Sequence, residues 1–284
     1  MRRDPHAAGS PGDPNAGLGR ILQWIFRVAV FMEFVGHGAF GIITKQSWVP
    51  YFGVVAISEQ WAYRLMPAIG AFDISMGTLA LLSPRRAQLL YMALWGLWTS
   101  LLRPLSGESV WEVLDRAGNF GIPFALLLLS GWGRSPREWF GRIKFGSPDQ
   151  TTLRRLVIVL RATTVLCLVG HGAYGVLLEK GTLVHQYRAI GLMPLPLIGN
   201  SFVRILGCLE LALAAWVLVR PLPRVLLFIV GLKVLAELLY PITGSPIWEF
   251  VERGGSYAAP LALYFITRTR MVAYRPEKFR APAH

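Results

Sequence analysis

The chain has 284 residues, 54% of them hydrophobic and 16% charged, with a mean hydropathy of +0.45. That is too apolar for an ordinary soluble domain. The net charge of +13 is spread over loops and tails rather than gathered on one patch, which argues against a nucleic-acid partner.

In chain order, residues 1–20 are rich in Gly, Pro and Asp and predict a disordered tail. Arg2-Arg3 and the apolar run that follows do not read as a cleavable signal, because the run is too long and lacks a small-residue cleavage site. Apolar stretches then fall at 21–44, 64–82, 87–103 and 118–133, and again at 156–178, 202–219, 223–240 and 255–267. About 20 helical residues cover the roughly 30 Å hydrocarbon core. Helices are expected because lipid offers no partner to an unpaired backbone group. The expected fold is therefore all-α: a polytopic membrane protein of eight transmembrane helices, built as two parallel four-helix repeats. The repeats are 21–133 and 156–267, joined by a basic linker (134–155) and followed by a basic tail (268–284). Cys167 and Cys208 lie inside predicted spans with no metal-ligand spacing and read as small buried hydrophobes.

Most basic residues fall on one side of this topology. They include Arg2, Arg3, Arg20, Arg85 and Arg86, then Arg134, Arg137, Arg142, Lys144, Arg154 and Arg155 of the linker, and the tail from Arg268 to Arg280. Most acids sit opposite, among them Glu59, Glu108, Glu112, Asp115, Glu179, Glu249 and Glu252. The bias places both termini in the cytoplasm and the protein in the cell (inner) membrane. The linker and tail would also suit anionic headgroups.

The repeats can be read directly. Gly36-His37-Gly38-Ala39-Phe40-Gly41 returns as Gly170-His171-Gly172-Ala173-Tyr174-Gly175. Trp111-Glu112 and Arg116-Ala117-Gly118 return as Trp248-Glu249 and Arg253-Gly254-Gly255. Such recurrence marks a duplicated unit. Ionisable residues within spans are costly and normally face the protein interior. His37, His171, Asp73 and Glu210 are thus candidate catalytic residues, with the two histidines as candidate cofactor contacts. Glu112 with Arg116, and Glu249 with Arg253, are spaced for i,i+4 ion pairs, as are Lys233 and Glu237. These six are candidate substrate contacts. Each half is expected to line its own polar pocket, the two halves meeting at one centre or forming separate bundles. Arg27 and Arg161 are expected to snorkel to the inner surface, and Trp111 and Trp248 to anchor at the outer one. The halves differ where Glu33 becomes Cys167, Gly96 becomes Lys233, Ser100 becomes Glu237 and Arg103 becomes Tyr240. If a single site works, the greater number of ionisable groups favours the second half.

Three features resemble the DoxX-like family of four-span membrane proteins, here as two fused copies. They are the Gly36-x-x-x-x-Gly41 pattern followed by Lys45, Gly191-Leu192-Met193-Pro194, and Gly207-Cys208-Leu209-Glu210-Leu211. Some members of that family resemble the membrane part of thiosulfate:quinone oxidoreductases. The resemblance thus implies a redox-linked subunit using quinone, or haem held by the histidines, and the topology separately places the polar pocket in the outer half of the membrane. Its partners would be the bilayer, a partner redox subunit and further copies of itself, with no nucleic acid and no metal site. The competing expectation is a carrier of a small anion, with Arg116 and Arg253 at helix N-termini.

Overall fold

The computed structural model describes residues 14–191 and 196–273, and all regular structure in them is helical. The Leu192-Met193-Pro194 part of the family-like motif and the tail residues Arg2, Arg3, Arg275, Lys278 and Arg280 lie outside the described residues.

Helix α1 (Pro14–Ile42) begins earlier than the tail reading to residue 20 allows. A short 3-10 turn (Gln46–Trp48) and α2 (Val49–Val54) lead to α3 (Glu59–Leu82) and α4 (Arg86–Leu105). The short α5 (Trp111–Asp115) then precedes α6 (Ala117–Ser130). In the linker, α7 (Pro136–Phe140) is capped by Ser135, whose side chain accepts from Glu138 N. An isolated antiparallel bridge joins Arg85 to Arg142. The order then recurs: α8 (Gln150–Val176), α9 (Gly181–Ala189), α10 (Pro196–Val219), α11 (Pro223–Ile242), α12 (Trp248–Val251) and α13 (Gly254–Ala273). Asp149 caps α8 by accepting from Thr152 N at 2.7 Å. Both α4 and α11 end one residue after a proline and turn through a glycine at positive φ, Gly107 (99°) and Gly244 (92°).

Five helices are long and apolar enough to cross a membrane: Asn15–Ile42, Glu59–Leu82, Gln150–Val176, Ser201–Val219 and Pro223–Ile242. The other three expected spans fall short for physical reasons. Helix α6 has 14 residues, about 21 Å of rise. Helix α4 carries Arg86 and Arg103, and α13 opens on Gly254-Gly255-Ser256 and closes with Arg268 and Arg270.

Helices α1, α6, α8 and α13 pack together as a shared centre, and α3, α10, α4 and α11 flank them. Of the two arrangements left open by the repeat pattern, this is the shared one. The outer helices α3, α10 and α11 bury only 28% of their apolar windows, against 61% for α1 and 56% for α8. Ile158, Val219, Phe228, Leu235 and Leu94 stand exposed, giving the exterior the apolar surface that lipid requires.

The halves interlock. Helix α12 lies on α1 and α5 lies on α8, so each short helix serves the first helix of the other half. Gly36 sits directly on the backbone of Glu252, and Gly170 on the backbone of Asp115. Gly118 and Gly255 meet at the middle, where a Cβ on Gly118 would lie 2.8 Å from Gly255 C. Only hydrogen fits at these contacts.

Candidate functional site

Helix α1 presents Glu33 and His37 on one face, a turn apart. Helix α3 crosses it closely because Gly38 and Gly70 leave their backbones in contact. That approach brings His37 Nδ1 to 2.8 Å from Asp73 Oδ2, the carboxylate being fully buried. The second half repeats the arrangement: Gly172 and Gly207 let α8 and α10 approach, and His171 Nδ1 lies 2.6 Å from Glu210 Oε2. The two acid–histidine pairs expected from the repeat are thus brought together. With Nδ1 turned to a carboxylate, each ring directs Nε2 the other way.

From there the halves part. Above His37 lies a cavity of about 170 Å³, and His171 is not among its lining residues. Trp48 stacks on the His37 ring at 4.5 Å between centroids and 29° between planes. Trp95, Trp98, Tyr51 and Phe52 supply most of the remaining wall, and Arg103, Arg116, Asn119 and Glu252 form the polar end. The indole N–H of Trp95 is buried and has no hydrogen-bond partner. Gly96 lets α4 approach the backbone of α6, where an added Cβ would lie 2.2 Å from Asn119 O, and Ser100 is fully buried beside it.

In the second half Lys233 and Glu237 occupy the corresponding places, each 1% exposed and 3.2 Å apart. Lys233 also lies 4.0 Å from Asp115, and Arg253 bridges Glu237 and Glu249 at 2.9 Å each. The additional ionisable groups there pair with one another and with Asp115 and Arg253. Among the described residues the cavity lies in the first half, beside His37, rather than in the half with more ionisable groups.

The expected i,i+4 ion pairs form, with Arg116 2.5 Å from Glu112 and Arg253 2.9 Å from Glu249. Each glutamate is also claimed by the other half: Lys180 reaches Glu112 at 2.6 Å, and Lys45 reaches Glu249 at 2.7 Å. Burial pushes the Glu112 carboxyl up, but Arg116, Lys180 and Arg103 outweigh it and hold the group well below the usual carboxylate range. Glu249 is likewise pushed up by burial, yet Arg253 and Lys45 hold it at about 2. The expectation of one self-contained pocket per half is corrected on this point. The Glu–Arg blocks bind the halves to each other, and Glu252 of the second half lines the cavity of the first.

Arg27 and Arg161 do not simply reach for the inner surface. Arg27 donates to Leu81 O, and Arg161 to Val217 O at 2.8 Å and to Leu218 O, so each caps the C-terminus of a neighbouring helix.

Sequence reasoning missed the aromatic wall, and nothing in the apolar run Leu94-Trp95-Gly96-Leu97-Trp98 distinguishes ring-lined space from a lipid-facing stripe. It also passed over Lys180 as the counterpart of Lys45, because the two stand one residue out of register between the copies. Asp115 and Glu252 were legible, since each directly precedes a repeated arginine. Among the described residues no three His, Cys, Asp or Glu side chains cluster as metal ligands. Compared with protein-family models, curated proteins and solved structures, the chain matches none.

Proposed function

We propose that the chain is a multi-pass inner-membrane protein of eight spans, two DoxX-like four-helix units fused in tandem, that binds a quinone beside His37. In this reading it is the membrane subunit of a redox system whose partner subunit supplies or removes electrons. The observation that carries it is a half-buried histidine, paired with a fully buried aspartate, at the wall of an aromatic-lined cavity. A quinone needs a flat apolar slot and a group that can both accept and donate a proton at its oxygens. Trp48, Trp95 and Trp98 form the slot. A neutral His37 accepts the O–H of a quinol at Nε2; the imidazolium formed is stabilised by Asp73 and donates to a quinone carbonyl.

The eight-span reading is supported by the recurring element order and by the matching Lys–Glu and His–acid contacts of the two halves. Both termini and the linker would then face the cytoplasm. A carrier of free anions is less well supported, because Arg103 and Arg116 at the polar end already neutralise Glu108 and Glu112. A haem shared by both histidines is also less well supported, since only His37 borders the cavity.

The test is titration of a decyl-tailed benzoquinone into the protein in lipid nanodiscs, read by tryptophan fluorescence. Saturable quenching is expected, weakened at least about tenfold, equivalent to about 1.4 kcal/mol, by His37→Ala. Binding that does not saturate, or that is indifferent to His37, refutes the assignment.

A further inference from the structure

Glu33 is 2% exposed, and no side chain pairs or hydrogen-bonds with its carboxyl, which lies against Gly255 of α13. The buried cations of the surrounding helices are committed elsewhere. Lys233 pairs with Glu237 and Asp115, and Arg253 with Glu237, Glu249 and Glu252. A carboxyl met at this depth by the Gly255 backbone and by no side chain is costly to keep unless it has a task.

A second, smaller cavity of about 10 Å³ lies beside it, lined by Glu33, His37, Trp95, Thr99 and Asn119 among others. Its volume suits one water molecule, and those groups offer the two to four polar partners a buried water requires. His37, Trp95, Thr99 and Asn119 also line the large cavity, so the small one opens between Glu33 and the ligand space. In the second half the residue matching Glu33 is Cys167, which is buried with Asp115 and Lys233 nearby.

We propose that Glu33 holds a proton and exchanges it with His37 through one water in the small cavity, serving the ligand bound in the large one. The inference rests on the quinone reading of that cavity. Reduction of the quinone takes two electrons from the partner subunit and two protons. His37 as imidazolium gives one proton to a ligand oxygen and becomes neutral. Glu33 then passes its proton to His37, leaving a carboxylate and restoring the imidazolium, which supplies the second proton. Oxidation of the quinol runs the same transfers backwards. Glu33 acts through His37 and is a positioning and relay residue rather than a catalytic one.

The experiment is difference infrared spectroscopy of the full chain in nanodiscs with the decyl-tailed benzoquinone, an electrode supplying the electrons. The native protein should lose a protonated-carboxyl band on quinone reduction. Glu33→Gln and Glu33→Cys should lack that band and form quinol about a hundredfold more slowly, while still binding the quinone. Cysteine is the residue the second half accommodates at the matching place, which keeps the test open if glutamine disturbs folding. A native protein that binds no quinone overturns the site reading and this inference with it. Quinone binding with a band and rate that are unchanged in both variants overturns this inference alone.

Discussion

His37 and His171 share a sequence context, a carboxylate partner and a close helix crossing, yet only His37 borders the large cavity. That cavity lies beside His37, and Lys233 and Glu237 stand in the second half where the first has Gly96 and Ser100. At this scale Lys233→Ala should be among the most damaging substitutions. It would leave Asp115 without its lysine and Glu237 dependent on Arg253 alone, at a cost of about 3 kcal/mol. A lowered melting temperature in detergent checks this. Asp73→Asn makes the complementary prediction, since an amide keeps the size but not the charge that stabilises imidazolium. Quinol oxidation should fall at least about tenfold with little change in melting temperature. Glu249 predicts a pH effect. Its folded-state value of about 2 lies below the unfolded 4.5. Its stabilisation is therefore fully present above about 4.5 and lost as pH falls toward about 2. Glu249→Gln should flatten the melting temperature over that interval, and an unchanged slope would contradict the assignment.

Among the elements, the central helices are joined by backbone contact as much as by side chains. Gly36 of α1 rests on the α12–α13 junction and Gly170 of α8 on the α5–α6 junction. A methyl group at either must displace the backbone of Glu252 or Asp115. Gly36→Ala and Gly170→Ala should each cost about 1–3 kcal/mol. Gly231→Ala in α11 is the control, because nothing lies within 4 Å of the added carbon. There the better helix propensity of alanine should leave stability unchanged or slightly raised, and losses equal at all three positions would contradict close packing as the cause. The element scale also explains why only five of the eight apolar segments meet the length and composition of a spanning helix. Helices α6 and α13, at the centre, are covered by protein, so they tolerate shortness, glycine and serine that a lipid-facing helix does not.

The molecule as a whole is closed by reciprocal contacts between its halves. Lys45 reaches Glu249, Lys180 reaches Glu112, and Glu252 completes the wall of a cavity otherwise built by the first half. A chain divided within the linker should therefore reassemble when both pieces are produced together. Co-purification through a tag on one half is the expected result, and a first half that is stable and binds quinone alone would contradict the interlock. Much of this protein was legible before folding was considered. Helical class and the five long apolar helices follow from apolar run length, and the cost of charge in lipid singles out the ionisable residues within those runs. His37, Asp73, His171 and Glu210 were found that way. Sequence periodicity says which face of a helix is apolar, not which other helix covers it. Only the tertiary structure decided that α12 sits on α1, that Glu112 and Glu249 serve the opposite half, and that the open space lies over His37, because cavities depend on the volumes of side chains brought together from distant helices.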